Sequence, residues 1–187
     1  MKKMMDLFEV SPIITAVKDD KGLEHALETD CAVVFILYGT VCNIQDIVAK
    51  IKAKDKVAIV HVDLIAGLSS KEVSVDFIKQ NTHADGIIST KPILVKRAID
   101  QGLFGGQRTF IIDSIALANT KKQLDTFKPD FMEVMPGVMP KVLKEIRSYT
   151  DVPLIAGGLL SDKKDIMAAF DAGVDAVSTT KEALWSM

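Results

Sequence analysis

One stretch limits this chain more than any other. Pro153-Leu154-Ile155-Ala156-Gly157-Gly158-Leu159 is followed by a helical segment over 161–170 and then by Ala172-Gly173-Val174-Asp175-Ala176-Val177-Ser178-Thr179-Thr180. It reads as an apolar strand, a glycine pair, a helix, a glycine stop, a second apolar strand and a hydroxyl-rich cap before a last helix. Two parallel strands that end side by side in this way form a cradle for a phosphate. Backbone amides without a side chain let an anion approach closely, and a helix N-terminus adds unpaired N–H groups and a favourable dipole. In barrels of eight βα units such a cradle follows the last two strands.

Six further βα units precede it. Continuous apolar runs predict strands over 13–17, 32–37, 57–62, 85–88, 108–112 and 131–135, as expected where both faces of a parallel sheet are covered. Between them lie a polar turn over 18–22 with a short helix over 23–27, and a helix with Ile44, Ile47, Val48 and Ile51 inward, capped by Asn43. Ser69 and Glu72 predict a capping box ahead of Val73, Phe77 and Ile78. Pro92 and Pro140 open helices, Gly102 closes one, and Ser161 is expected to cap the helix after the glycine pair. Regular alternation argues for a parallel sheet with right-handed crossovers, and eight units argue for closure. The expected fold is α/β, a compact (β/α)8 barrel of the TIM type. It forms a single domain over 1–187, with 1–11 a short N-terminal extension.

Composition narrows the function classes. The chain has 187 residues, short for such a barrel, but 48% of them are hydrophobic, enough for a core. With 23 Lys and Arg against 25 Asp and Glu the net charge is −2, so any nucleic-acid surface must be a local patch. Lys50, Lys52, Lys54 and Lys56 lie at a helix end that suits cations and read as a solvated face, with a weak alternative as a phosphate-backbone patch. Only 6% of residues are aromatic, which provides sparsely for base stacking. Cys31 and Cys42 are too few for a disulfide framework or a zinc cluster and read as buried free thiols. The first ten residues have no sustained apolar run, so neither a signal peptide nor a membrane segment is expected, and the protein is expected in the cytoplasm.

In a barrel the site forms at the carboxyl ends of the strands. The groups expected there are Asp63, Lys91, Asp113, Glu133, Gly157, Gly158, Ser178, Thr179 and Thr180. Gly157 and Gly158 serve either as a tight turn or as the phosphate seat; the hydroxyls opposite favour the seat. Ser178, Thr179 and Thr180 can cap a helix and touch phosphate at once. Lys91 sits at a helix start, where the dipole disfavours a cation, which points toward a ligand-facing role. Of Asp63, Asp113 and Glu133, one can cap a helix, one can pair with Lys91 or Arg108, and one can accept from ligand hydroxyls. Their oxygens suit Mg²⁺, but nothing in their spacing demands a metal, and none is expected. His61 reads as a hydrogen-bonded core histidine, and no catalytic set emerges from position. Two glycine-containing segments beside these acids, 63–70 with Gly67 and 135–140 with Gly137, are expected to order on ligand binding, and Gly137 is counted with the binding residues.

His61-Val62-Asp63-Leu64, Asp85-Gly86-Ile87-Ile88-Ser89-Thr90-Lys91, Gln107-Arg108-Thr109-Phe110-Ile111-Ile112-Asp113, Pro129-Asp130-Phe131-Met132-Glu133-Val134-Met135-Pro136-Gly137 and Ala156-Gly157-Gly158 stand in one order along the chain. Over about 13–185 the chain resembles the glycerol-3-phosphate-responsive antiterminators of bacterial glycerol uptake operons. The resemblance implies a barrel that senses glycerol 3-phosphate as its effector, needs no cofactor, is not an enzyme, and acts on the leader mRNA of a glycerol operon, either alone or as a homo-oligomer. The alternative from the residues alone is a small barrel enzyme acting on a phosphorylated triose, with Lys91 as an amine nucleophile or Glu133 as a base. A lysine nucleophile requires a destabilised ammonium, and acids across the mouth work against that.

Overall fold

A computed structural model describes residues 4–186. Eight parallel strands close into a barrel in chain order, with the first paired to the last. They are β1 (Ile13–Val17), β2 (Val33–Ile36), β3 (Val57–His61), β4 (Gly86–Ser89), β5 (Phe104–Phe110), β6 (Phe131–Met135), β7 (Leu154–Gly157) and β8 (Ala176–Thr179). A helix precedes β1, α1 (Met4–Val10), and seven join the strands: α2 (Asp20–Leu27), α3 (Ile44–Lys52), α4 (Val73–Asn81), α5 (Pro92–Asp100), α6 (Ser114–Thr126), α7 (Pro140–Arg147) and α8 (Lys163–Asp171). The chain ends on a 3-10 turn, Glu182–Leu184, where the sequence pattern suggested a helix.

Two cores follow from the alternation of strand side chains. Outward residues such as Val34, Ile36, Val60, Ile87, Val134 and Ala156 pack beneath the helices. Inward residues Ile14, Val33, Phe35, Ile59, Ile88, Phe131, Ile155 and Ala176 fill the barrel. Helix α1 joins this inner core: Met4, Leu7 and Phe8 are buried against it, so a segment read as an extension is a plug. An eight-stranded barrel has an interior just wide enough to be filled by side chains, and its end needs an apolar cover.

Several local expectations are corrected. Strand β5 begins four residues before the expected position, through Gly105 and Gly106. A Cβ on Gly106 would run into the Phe131 ring, and one on Gly105 would come within 2.7 Å of the Val95 carbonyl oxygen. These glycines therefore make room for neighbours rather than turning the chain. Residues 20–22 belong to α2, because Asp19 accepts from the Gly22 N–H and starts the helix early. The capping box does not form: α4 begins at Val73, and the Ser74 hydroxyl bonds Ser69 instead. Asn43 turns its side chain back to Thr40 rather than into α3. Asp162, not Ser161, caps α8 by accepting from Asp165 N–H. Cys31 is buried, but Cys42 is exposed. No helix among the described residues is long and apolar enough to cross a membrane.

The plug gives a stability test. Phe8 is 2% exposed and Val10 is 83% exposed on the same helix. Phe8→Ala is expected to lower the unfolding free energy by about 3–5 kcal/mol, whereas Val10→Ala changes it by less than about 0.5 kcal/mol, measured by urea denaturation.

Candidate functional site

Above the apolar layers, the inner face of the barrel turns polar at the carboxyl ends of the strands. His61 from β3, Arg108 from β5, Glu133 from β6 and Ser178 from β8 are all buried there. A buried charge needs a partner and saturated hydrogen bonds. Arg108 Nε donates to Glu133 Oε2 at 2.5 Å, and the Ser178 hydroxyl donates to Glu133 Oε1. Glu133 thereby ties β5 and β8 to β6 across the barrel. Arg108 borders a cavity of about 430 Å³, walled also by Leu37, Gly158, Ser161, Thr180 and Lys181.

Gly158 forms one lip of this cavity, with Gly157 behind it against Ser178. A Cβ on Gly157 would lie 2.8 Å from Ser178 Oγ and would strike the Glu133 carboxylate. Gly158 has φ +73°, a backbone region that side chains resist. Leu159 follows at φ +61° with its side chain in solvent. Gly137, after β6, packs against Ala156 and donates its N–H to the Gly157 carbonyl at 2.6 Å. On the other lip the Thr179 hydroxyl accepts from Lys181 N–H, as a cap does, while Lys181 Nζ reaches the Ser161 carbonyl at 2.5 Å. Glu133, Gly157, Gly158, Ser178, Thr179 and Thr180 thus converge, with Gly137 beneath.

Asp63 and Lys91 form a separate cluster over β3 and β4. Lys91 Nζ donates to Asp63 Oδ1 at 3.1 Å. Asp63 Oδ2 also accepts from Thr90 N–H at 2.7 Å, and the Ser89 hydroxyl adds a bond at 2.9 Å to Oδ1. Burial pushes the Asp63 carboxyl upward, but these donors outweigh it and leave it below its ordinary value. Asp113 stands apart: exposed, it caps α6 by accepting from Ala116 N–H at 2.7 Å. The three acids therefore divide between a helix cap, a pair with Lys91 and a pair with Arg108. Among the described residues no group of His, Cys, Asp and Glu is arranged to hold a metal.

His61 departs from the expected core histidine in one respect: its Nδ1 is buried without a hydrogen-bond partner, 4.0 Å from Asp63 Oδ2. Burial, then the Arg108 charge, push its pKa down to about 4. Arg108, expected only as an ion-pair partner, and Lys181 are cationic wall residues outside the expected binding set. Arg108 carries a signal in retrospect, since its place in a buried strand two residues from Gly106 and opposite Glu133 demands an internal partner.

The residues matched by the glycerol-3-phosphate responsive antiterminator family run from 13 to 185, nearly the whole chain. The chain belongs to that family. It is 45% identical to the Escherichia coli K12 protein YgcP over 184 residues, covering 98% of this chain and 96% of YgcP. The crystal structure of the glycerol uptake operon antiterminator regulatory protein of Listeria monocytogenes is similar at 30% identity and TM-score 0.89, covering 92% of this chain and 94% of that one. That of an antiterminator-related protein from Thermotoga maritima is similar at 29% identity and TM-score 0.84, covering 95% and 99%.

The depressed His61 gives a pH test. Between about pH 6.5 and pH 4 the unfolded chain binds a proton at His61 that the folded chain does not, so stability falls as pH falls through that window. The full loss is about 3 kcal/mol. Urea denaturation at pH 7 and pH 4.5 should show His61→Phe losing distinctly less stability than the parent protein over this interval.

Proposed function

We propose that this protein is a cytoplasmic, glycerol-3-phosphate-sensing transcription antiterminator that binds the leader mRNA of a glycerol uptake operon. The observation that carries the ligand assignment is the pairing of two unlike surfaces in one cavity. Its rim, at Gly157, Gly158, Ser178, Thr179 and Thr180 with Lys181 beside it, offers small residues and one cation to a phosphate. Its floor offers a guanidinium donor and a carboxylate acceptor to hydroxyls. Glycerol 3-phosphate has that combination of ends. Membership of the family and the similarity to the Listeria antiterminator support the regulatory assignment.

Against the enzyme alternative, the polar groups of the mouth are engaged with one another. Lys91 is held in an ion pair with Asp63 at 3.1 Å, whereas an amine nucleophile is favoured by an apolar pocket or a second cation. Glu133 has a cation on one oxygen and a hydroxyl on the other, which suits recognition rather than proton abstraction.

A thermal-shift screen of small phosphorylated metabolites tests the ligand. Glycerol 3-phosphate at 100 times its Kd should add about 2.7 kcal/mol of stability. Gly158→Val should remove that response; the Cβ meets only the flexible end of Met135, but the φ of +73° strains the backbone, so circular dichroism and urea denaturation check that the variant stays folded. A full response in the variant would displace the phosphate from this lip. Borohydride with dihydroxyacetone phosphate should label no lysine; a labelled Lys91 would return the enzyme reading to first place.

Linkage tests the regulation. If glycerol 3-phosphate tightens RNA binding by some factor, RNA must tighten glycerol 3-phosphate binding by the same factor. RNA titrations with and without the metabolite, at one salt concentration, should therefore differ. Equal affinities would remove the sensor.

A further inference from the structure

The charge of this chain is unevenly placed. Residues 91–150, which supply α5, α6 and α7, carry ten Lys and Arg against six Asp and Glu, while the rest of the chain carries thirteen against nineteen. The run that looks most basic in the sequence is largely spent inside the fold. Lys52 pairs with Asp85 at 2.7 Å and Lys54 with Glu28 at 3.0 Å, and Lys56 points inward to the carbonyls of Thr29 and Cys31. The lysines of α6 and α7 differ. Lys121, Lys122, Lys141 and Lys144 are exposed, and among the described residues none is in an ion pair, although Asp125 and Glu145 lie on the same helices.

These helices are neighbours around the barrel, and two contacts tie them side to side. Lys96 of α5 lies over the Phe127 ring at 5.5 Å, and Lys121 of α6 lies over the Tyr149 ring at 5.4 Å. The result is one basic band on the outside of a chain that is acidic overall. We propose that the α6–α7 face, centred on Lys121, Lys122, Lys141 and Lys144, is the surface that takes the RNA backbone. The inference rests on the antiterminator reading above and adds the place where RNA sits. Free lysines on a third of the chain with excess positive charge offer what phosphates need: counterion release without first breaking an internal ion pair. The face also starts at the proposed ligand. Helix α6 follows the strand that carries Arg108, and α7 follows the turn in which Gly137 bonds the carbonyls of Gly157 and Gly158.

The test compares two variants of equal net charge. One is Lys121→Ala, Lys122→Ala, Lys141→Ala and Lys144→Ala. The other is Lys21→Ala, Lys50→Ala, Lys71→Ala and Lys79→Ala, from exposed positions on the α2–α4 side. Binding of a fluorescein-labelled RNA stem-loop is measured by anisotropy across a salt series, with glycerol 3-phosphate present and absent. Thermal shift with the metabolite checks that each variant is folded. The α6–α7 variant should bind at least about tenfold more weakly and with a shallower salt slope, the control staying within about twofold of the parent. Equal losses in both variants would overturn the face in favour of overall charge. Unchanged binding by the α6–α7 variant, with the parent binding RNA, would overturn the face and leave the antiterminator reading standing. Absence of RNA binding by the parent protein in both ligand states would overturn that reading and the face with it.

Discussion

A closed barrel has to fill its own interior, and here the filling changes character along the axis. Phe35 and Phe131 stack at 5.8 Å in the apolar layers, and α1 seals the end where the strands begin. At the other end the inward positions are His61, Arg108, Glu133 and Ser178. These positions commit the fold to an internal ion pair. Removing one partner of such a pair leaves a charge without compensation and costs about 3–5 kcal/mol. The bridge from Arg108 and Ser178 to Glu133 is therefore what allows charged groups to lie buried beside the cavity. It also explains why a side chain at Gly157 has no room, since the Glu133 carboxylate lies where its Cβ would be.

Much of this was legible in the chain because the strands are short, apolar and regularly spaced. Strands β1 and β6 fall where the pattern predicts them, as do the glycine lip and the hydroxyl cap. The failures share one cause: a short local signal has more than one use. The start expected for β5 at Arg108 leaves out Gly105 and Gly106, whose role is space, for α5 on the outside and for the Phe131 ring inside the barrel. The Ser69 and Glu72 spacing imitates a helix start, but the turn before α4 uses the Ser74 hydroxyl instead. Helix α1 has too few residues to show a period, and only the open end of a barrel gives it something to cover. Asp63, Asp113 and Glu133 are alike in sequence context; the partner each finds depends on strand register, which no local window contains.

The two segments expected to respond to a ligand are held differently. In the first, Ala66 donates to the Gly39 carbonyl and accepts from the Val41 N–H, each within 3.0 Å, which stitches 63–70 to the loop after β2. Asp63 adds its bonds to Ser89, Thr90 and Lys91. That segment is already ordered by its neighbours, so a ligand has little ordering left to supply. The second segment, 135–140, is bonded chiefly to the glycine lip through the Gly137 N–H.

For the proposed ligand, this difference sets which segment a molecule in the mouth can move. A ligand shifts a conformational equilibrium only by binding one state better than the other. The Arg108–Glu133 floor is rigid on both sides, being built into paired strands, and offers no second arrangement. The turn at Gly137 is the place where the Gly157–Gly158 lip, the proposed phosphate seat, meets backbone outside the sheet. Beyond it lies Pro140, which opens α7, so a change in the lip reaches a helix within three residues. The apolar side of that helix, Leu143 and Ile146, is buried in the outer core, which limits its motion to a shift of the whole element. A shift of a whole helix moves Lys141 and Lys144 together. The proposed ligand site and the proposed RNA face are thus joined through two consecutive βα units, β5–α6 and β6–α7, so the proposed coupling needs no separate domain.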